Sequence, residues 1–275
     1  LKGRDGSPQR TNEKATENEE RRIMKTIDNH RIVTPSEWLA ARKELLAEEK
    51  RLTRQMDAVN AKRRALPWVK VEKDYQFDSP RGRVSLAGLF AGKTQLVMQH
   101  FMLGEGWGEG CRSCSFMADH TDPMLPHLAA RDVTMLAVSH APLAEIEAFK
   151  KRMGWKFSWV SSCGSTFNHD FHVSFTEEEI ASGKVNYNYT RQEFPKTEAP
   201  GLSVFFKAEN GGVFHTYSVY GRGVELMMGA YRILDLTPKG RNEDDLEWPQ
   251  QWVRYHDRYE TNMAEGNCRC AEAKS

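Results

Sequence analysis

The sequence predicts an α/β sandwich with a central mixed β-sheet, preceded by a long amphipathic helix. Three observations predict it. Short apolar runs alternate with helical patterns from residue 67 onward, two later runs are spaced as a hairpin, and a seven-residue apolar repeat lies ahead of both. With 275 residues, 39% hydrophobic and 28% charged, the chain has enough apolar material for one substantial core.

Residues 1–33 alternate charges with Ser, Thr, Asn and Gln and contain no aromatic residue. Such a segment buries too little surface to offset its ordering entropy, and it reads as a disordered polar tail. Thr34-Pro35-Ser36-Glu37 then supplies a helix start at Thr34 or Ser36, with Pro35 or Glu37 in the first turn. Trp38, Leu45, Leu52, Met56 and Val59 recur at spacings of seven, seven, four and three. They predict an amphipathic helix of about 28 residues within 34–66, ending before Pro67.

Residues 67–259 read as one domain. Thr94–Met102, Val133–Ser139 and Leu202–Lys207 are apolar runs of strand length, and Val213–Val219 alternates as a hairpin partner should. Leu143, Ile146, Phe149 and Met153 mark a helix between them. Trp248, Trp252, Tyr255 and Tyr259 share helical spacing in Asp244–Tyr259, an acidic and aromatic stretch expected to dock on the body. Residues 260–275 read as a flexible tail.

The formal net charge of +1 hides a division: residues 1–66 hold 16 basic and 11 acidic side chains, and residues 67–275 hold 23 and 27. The interspersed signs of the basic part fit a solvated helix face, so no nucleic-acid partner is expected. No run approaches the roughly 18 apolar residues of a membrane-spanning helix. Leu1–Arg22 lacks the apolar region of a secretory signal, so the expectation is a cytoplasmic protein, although the chain starts at Leu1 and not at Met.

Five cysteines are too few and too unevenly placed for a disulfide-dense scaffold. The informative pair is Cys111-Arg112-Ser113-Cys114, which follows a predicted strand and the loop Leu103-Gly104-Glu105-Gly106-Trp107-Gly108-Glu109-Gly110. A helix beginning at Cys111 would turn its free N–H groups and positive dipole end toward a thiolate there. Arg112 would add a cation. Cys114, one turn further on, is spaced to attack a mixed disulfide formed at Cys111. Zinc would need a second ligand pair, from Cys268 and Cys270 or from Cys163 with His120, His140 or His169. None of these has the usual spacing, so no metal or other cofactor is expected.

Several of these segments resemble the thioredoxin-like fold: Ser85–Thr94 with its following strand, the C-x-x-C at a helix start, Asp132–Ser139, and Ala199-Pro200-Gly201-Leu202-Ser203-Val204-Phe205. More narrowly, residues from about Thr34 to Tyr259 resemble an uncharacterised thioredoxin-like family, a domain of unknown function in the thioredoxin/peroxiredoxin-like superfamily. The marks are Glu37-Trp38-Leu39-Ala40-Ala41-Arg42, Phe167–Phe175, Gly201–Phe205 and Glu247-Trp248-Pro249-Gln250-Gln251-Trp252. The resemblance makes Cys111 the attacking cysteine and Cys114 the resolving one. It places Pro200 where thioredoxins have a cis-proline facing the pair. It also implies a thiol–disulfide oxidoreductase acting on a protein or a small thiol or disulfide. Thioredoxins carry Trp immediately before the first cysteine and Gly-Pro between the two; here Gly110 and Arg112-Ser113 stand there, with Trp107 four residues upstream.

A peroxiredoxin-like peroxidase is a competing expectation, but its Pro-x-x-x-Thr-x-x-Cys pattern is absent: Gly104 and Gly108 precede Cys111 at those places, and Trp107 and Cys111 precede Cys114. A second alternative is a non-catalytic binding module that self-associates through the N-terminal helix. Gly92-Lys93-Thr94 lacks the earlier glycine of a phosphate loop. The glycine loop reads as a mobile segment shaping access to Cys111. His100, His120 and the pair His169 and His172 read as structural histidines, and Cys163 as a bystander.

Overall fold

A computed structural model describes residues 30–259; the two expected tails, beyond residues 30–33 of the first, lie outside the described residues. The chain divides into two units, residues 1–65 and 66–275.

The first unit contains helix α1, Pro35–Arg64. Its start is fixed by reciprocal capping: Thr34 Oγ1 accepts the Glu37 N–H at 3.3 Å, and the Glu37 carboxylate accepts the Thr34 N–H at 2.9 Å. Lys62, Arg63 and Arg64 occupy the last turn, where their charge complements the negative helix end. No residue of α1 is buried, and Trp38, Leu45, Leu52, Met56 and Val59 are all exposed.

The second unit begins with the short strands β1 (Val69–Lys70), β2 (Gln76–Ser79) and β3 (Gly82–Ser85), followed by β4 (Gln95–His100). Helices α2 (Arg112–Ala118) and α3 (Leu125–Ala129) lead to β5 (Val133–Ser139), and α4 (Leu143–Arg152) leads to β6 (Trp159–Ser161). Next come α5 (Phe167–Asp170), α6 (Glu177–Ala181), the small hairpin β7 (Val185–Tyr187) and β8 (Thr190–Gln192), β9 (Gly201–Lys207), β10 (Val213–Tyr220) and α7 (Gly229–Leu234).

Eight strands form one mixed sheet in the order β1-β10-β9-β4-β5-β6-β2-β3. Strands β4, β5 and β6 are parallel, while β9 runs antiparallel to β4 and pairs with β10 as a hairpin. The central order β10-β9-β4-β5, with helices crossing from β4 to β5, is the thioredoxin-like arrangement. The expected strands are therefore found, with ends shifted by one or two residues.

Alternation along β4 and β5 sends side chains to opposite faces. Leu96, Met98, Leu136 and Val138 pack with Phe90, Phe167 and Phe205 on one side. Val97, Phe101, Met135 and Ala137 face the side carrying α2 and α4. Among the described residues, no helix is long and apolar enough to cross a membrane.

Asp244–Tyr259 is not a helix. It is a series of turns with one short 3₁₀ turn at His256–Arg258, and Gln250 has φ +68°. Pro249 has no N–H to give a helix there, and its ring clashes with the preceding turn. The Glu243 carboxylate then gathers Tyr231 Oη at 2.7 Å, the Gln250 N–H at 2.9 Å and Trp252 Nε1 at 2.6 Å, so the segment winds around one acceptor. It still docks on the body, with Val253 and Tyr255 buried.

Candidate functional site

The route from β4 to Cys111 is closely constrained. Phe101 continues the β4–β5 pairing through its N–H to Val138 O at 2.9 Å, and the chain then turns through the glycine loop. Gly106 and Gly108 have φ of +73° and +69°, a region open to glycine. The loop, expected as a mobile segment, is tied at several points. The Gly106 N–H donates to the Glu145 carboxylate at 3.1 Å, Tyr255 Oη donates to Gly110 O at 2.6 Å, and the Cys111 N–H donates to Met102 O at 2.9 Å.

Cys111 is the N-cap residue of α2 and its carbonyl accepts the Ser115 N–H at 2.9 Å. It is half-buried, whereas Cys114 in the first turn is 2% exposed; both are free thiols. The neighbouring Cys114 thiol is the main influence holding Cys111 down to about 6 against the opposing effect of burial, and the N–H groups of Cys114 and Ser113 and the Ser113 hydroxyl add to it. The Cys111 sulfur, with burial, in turn pushes Cys114 well above the usual thiol range. One thiol is thus poised to ionise and the other to stay protonated.

Both cysteines line a cavity of about 330 Å³. Its wall includes Met102, Met117, Phe194, Pro200, Val224 and Met228, contributed by the residues just after β4, α2, the segment before β9 and the turns after β10. Pro200 therefore does lie beside the pair. Its peptide bond is not cis, however: no cis peptide occurs among the described residues. The preceding segment is held extended, with the Ala199 N–H on Val173 O at 2.8 Å and Ser174 bridged to Glu198, and it runs directly into β9.

Trp107 packs on the same cluster as Cys111, with Lys196 Nζ 5.8 Å from its ring. Arg112 is exposed and does not line the cavity. The lowering of Cys111 comes from hydrogen bonds, so the expected help from the Arg112 cation is replaced by Ser113 and Cys114.

Residues 27–259 match the family model described as a bacterial protein of unknown function, DUF899. The chain belongs to this family. No curated protein matches this DUF899 chain. Among solved structures it is similar to a mutant peroxiredoxin Q from Xanthomonas campestris, at 12% identity and a TM-score of 0.41 over 61% of this chain and 98% of that one. It is similar to peroxidoxin BcpB from Mycobacterium tuberculosis, at 11% identity and a TM-score of 0.39 over 60% and 97%. A protein described as a DsbE thiol:disulfide interchange protein from Chlorobium tepidum gives 13% and 0.37 over 60% and 97%. Likenesses this distant carry no activity to the DUF899 chain, whose fold is read from its own strand order.

His120, His100 and Asp170 are each engaged within the fold. His120 uses Nδ1 on Phe116 O at 2.8 Å and Nε2 as acceptor for the Ala230 N–H at 3.1 Å. His100 is buried against Phe167 and Phe171, bonded through Nε2 to Ser203, and burial drives its pKa down to about 3, so it is neutral. Asp170 is occupied by Lys73, Tyr75 and Thr166. Among the described residues, no group of three or more His, Cys, Asp and Glu side chains is placed to hold a metal ion, and Cys268 and Cys270 lie outside them. Ser113 and the cavity wall, Pro200 apart, were not singled out from sequence. Ser113 sits between the cysteines and was readable as a donor; Tyr187, Phe194 and Met228 reach the site only through the fold.

Proposed function

We propose that the chain performs dithiol–disulfide exchange, with Cys111 as nucleophile and Cys114 as resolving thiol. The observation carrying this reading is a pair of free thiols, one half-buried at a helix N-cap and one buried in its first turn, lining one largely apolar cavity, with their acidities pushed in opposite directions. The Cys111 thiolate attacks one sulfur of a substrate disulfide, the substrate S–S bond breaks, and the leaving thiolate takes a proton from solvent. Once Cys111 is in a mixed disulfide it no longer carries the negative charge that kept the Cys114 proton in place. Cys114 then gives its proton to solvent and attacks Cys111 Sγ, releasing the second thiolate. Substrate gains two electrons and the protein is left with a Cys111–Cys114 disulfide.

A thiol ionising near 6 is mostly thiolate at pH 7, and alkylation by iodoacetamide should therefore rise through about pH 6 and level off by pH 8. In the reduced protein, Cys111→Ser should abolish that low-pH reaction and the acceleration of bis(2-hydroxyethyl) disulfide reduction by dithiothreitol above background. A Cys111 alkylation curve that rises only above pH 8, with equal disulfide-reduction rates for protein and variant, would remove the reading.

A further inference from the structure

The cavity beside Cys111 has a wall whose polar groups are already committed. Among the described residues lining it, Tyr187 Oη donates to Pro200 O at 2.8 Å while accepting the Gly221 N–H at 2.9 Å. Glu225 pairs with Arg241 at 3.0 Å and with Arg222 at 2.9 Å, and the Arg222 side chain is otherwise 84% exposed to solvent at the rim. Gln250 Nε2 approaches Met228 Sδ at 3.5 Å. A charged substrate entering here would lose hydration and displace one of these pairings. An apolar one would meet Met102, Met117, Phe194, Pro200, Val224 and Met228, which ask only for contact.

Shape narrows the class further. Six separate segments line the space: Met102, residues 111–117, Tyr187, residues 194–200, the turn 221–228 and Gln250. At about 330 Å³ it lies near the lower end of small-molecule pockets, roughly 300–1,000 Å³. An open groove along a strand edge, which an extended peptide would need, is a different shape.

Resting on the exchange reaction proposed above, we infer that the substrate is a small uncharged disulfide with apolar substituents, seated in this cavity with one sulfur at Cys111. The reaction is R–S–S–R plus the protein dithiol giving two R–SH plus the Cys111–Cys114 disulfide. No further reductant enters a single turnover.

The test is rapid mixing of the reduced full chain with dibutyl disulfide, bis(2-hydroxyethyl) disulfide and glutathione disulfide, followed by loss of thiolate absorbance. Each rate is divided by that of free dithiothreitol with the same disulfide. The normalised preference for dibutyl over glutathione disulfide should be about 100-fold, the scale on which a shaped apolar pocket discriminates. Phe194→Asn should reduce it about tenfold and Phe194→Leu by less than about twofold, each rate being scaled to the variant's own thiolate absorbance. A wild-type preference within about twofold of unity overturns the substrate class while leaving exchange standing. No thiolate loss with any of the disulfides overturns exchange itself, and the substrate class with it.

Discussion

A side chain at position 110 would put its Cβ 2.9 Å from the Phe149 ring and closer still to Phe101, both of them buried. The neighbours are rigid rings within a core of close-packed aromatics, so the backbone would have to move. That backbone carries Cys111 as its next residue, and its carbonyl is fixed by Tyr255 Oη. Gly110→Ala should therefore destabilise the reduced protein by about 1–3 kcal/mol, the usual range for overpacking, and shift the Cys111 alkylation curve to higher pH. Urea unfolding and iodoacetamide kinetics measure the two effects; a variant with unchanged stability and an unchanged curve would show that the loop has room to adjust. Glycine at this place, where thioredoxins have Trp, thus has a packing reason that spacing alone does not reveal.

At the level of elements, α1 depends on its own ends, because none of its residues is buried. Isolated helices gain little from propensity alone, and a cap is a sizeable share of what holds them. Removing the Thr34 hydroxyl breaks one half of the capping box, and Thr34→Ala should cost the helix about 1 kcal/mol, within a range of roughly 0.5–2. The expected readout is fraying of residues 35–38 in amide exchange with the alkylation of Cys111 unchanged; equal protection in both proteins would place the helix start elsewhere. The start was readable because Thr34, Pro35 and Glu37 stand together in sequence. Strands β4, β5, β9 and β10 were readable for a related reason, since each has at least six residues, long enough for an apolar run or an alternation to register. β1, β6, β7 and β8 have two or three residues each, too few for any periodicity to register. Asp244–Tyr259 misleads because its aromatics keep helical spacing while serving different partners. Trp252 reaches Glu243, and Tyr255 reaches Gly110. The cysteine pair was legible as a local motif, and the cavity was not, because its wall is assembled from residues between 102 and 250.

Across the whole molecule, the near-neutral charge joins two unlike parts, a basic stretch of residues 1–66 and an acidic remainder. The hydrophobic clusters of the second unit are built entirely from residues after 70, and so are the cysteine pair and every residue lining its cavity. A unit with its own core can fold alone. The chain from 66 to 275 should accordingly unfold in one cooperative transition, keep the Cys111 alkylation curve rising through about pH 6, and retain the preference among disulfides measured for the full chain. Calorimetry and alkylation on that fragment test the expectation. A fragment that lacks a cooperative transition would assign residues 1–65 a part in the stability of the body. A cooperative fragment whose Cys111 curve has moved above pH 8 would instead give those residues a part in the chemistry, which nothing in the local surroundings of Cys111 requires.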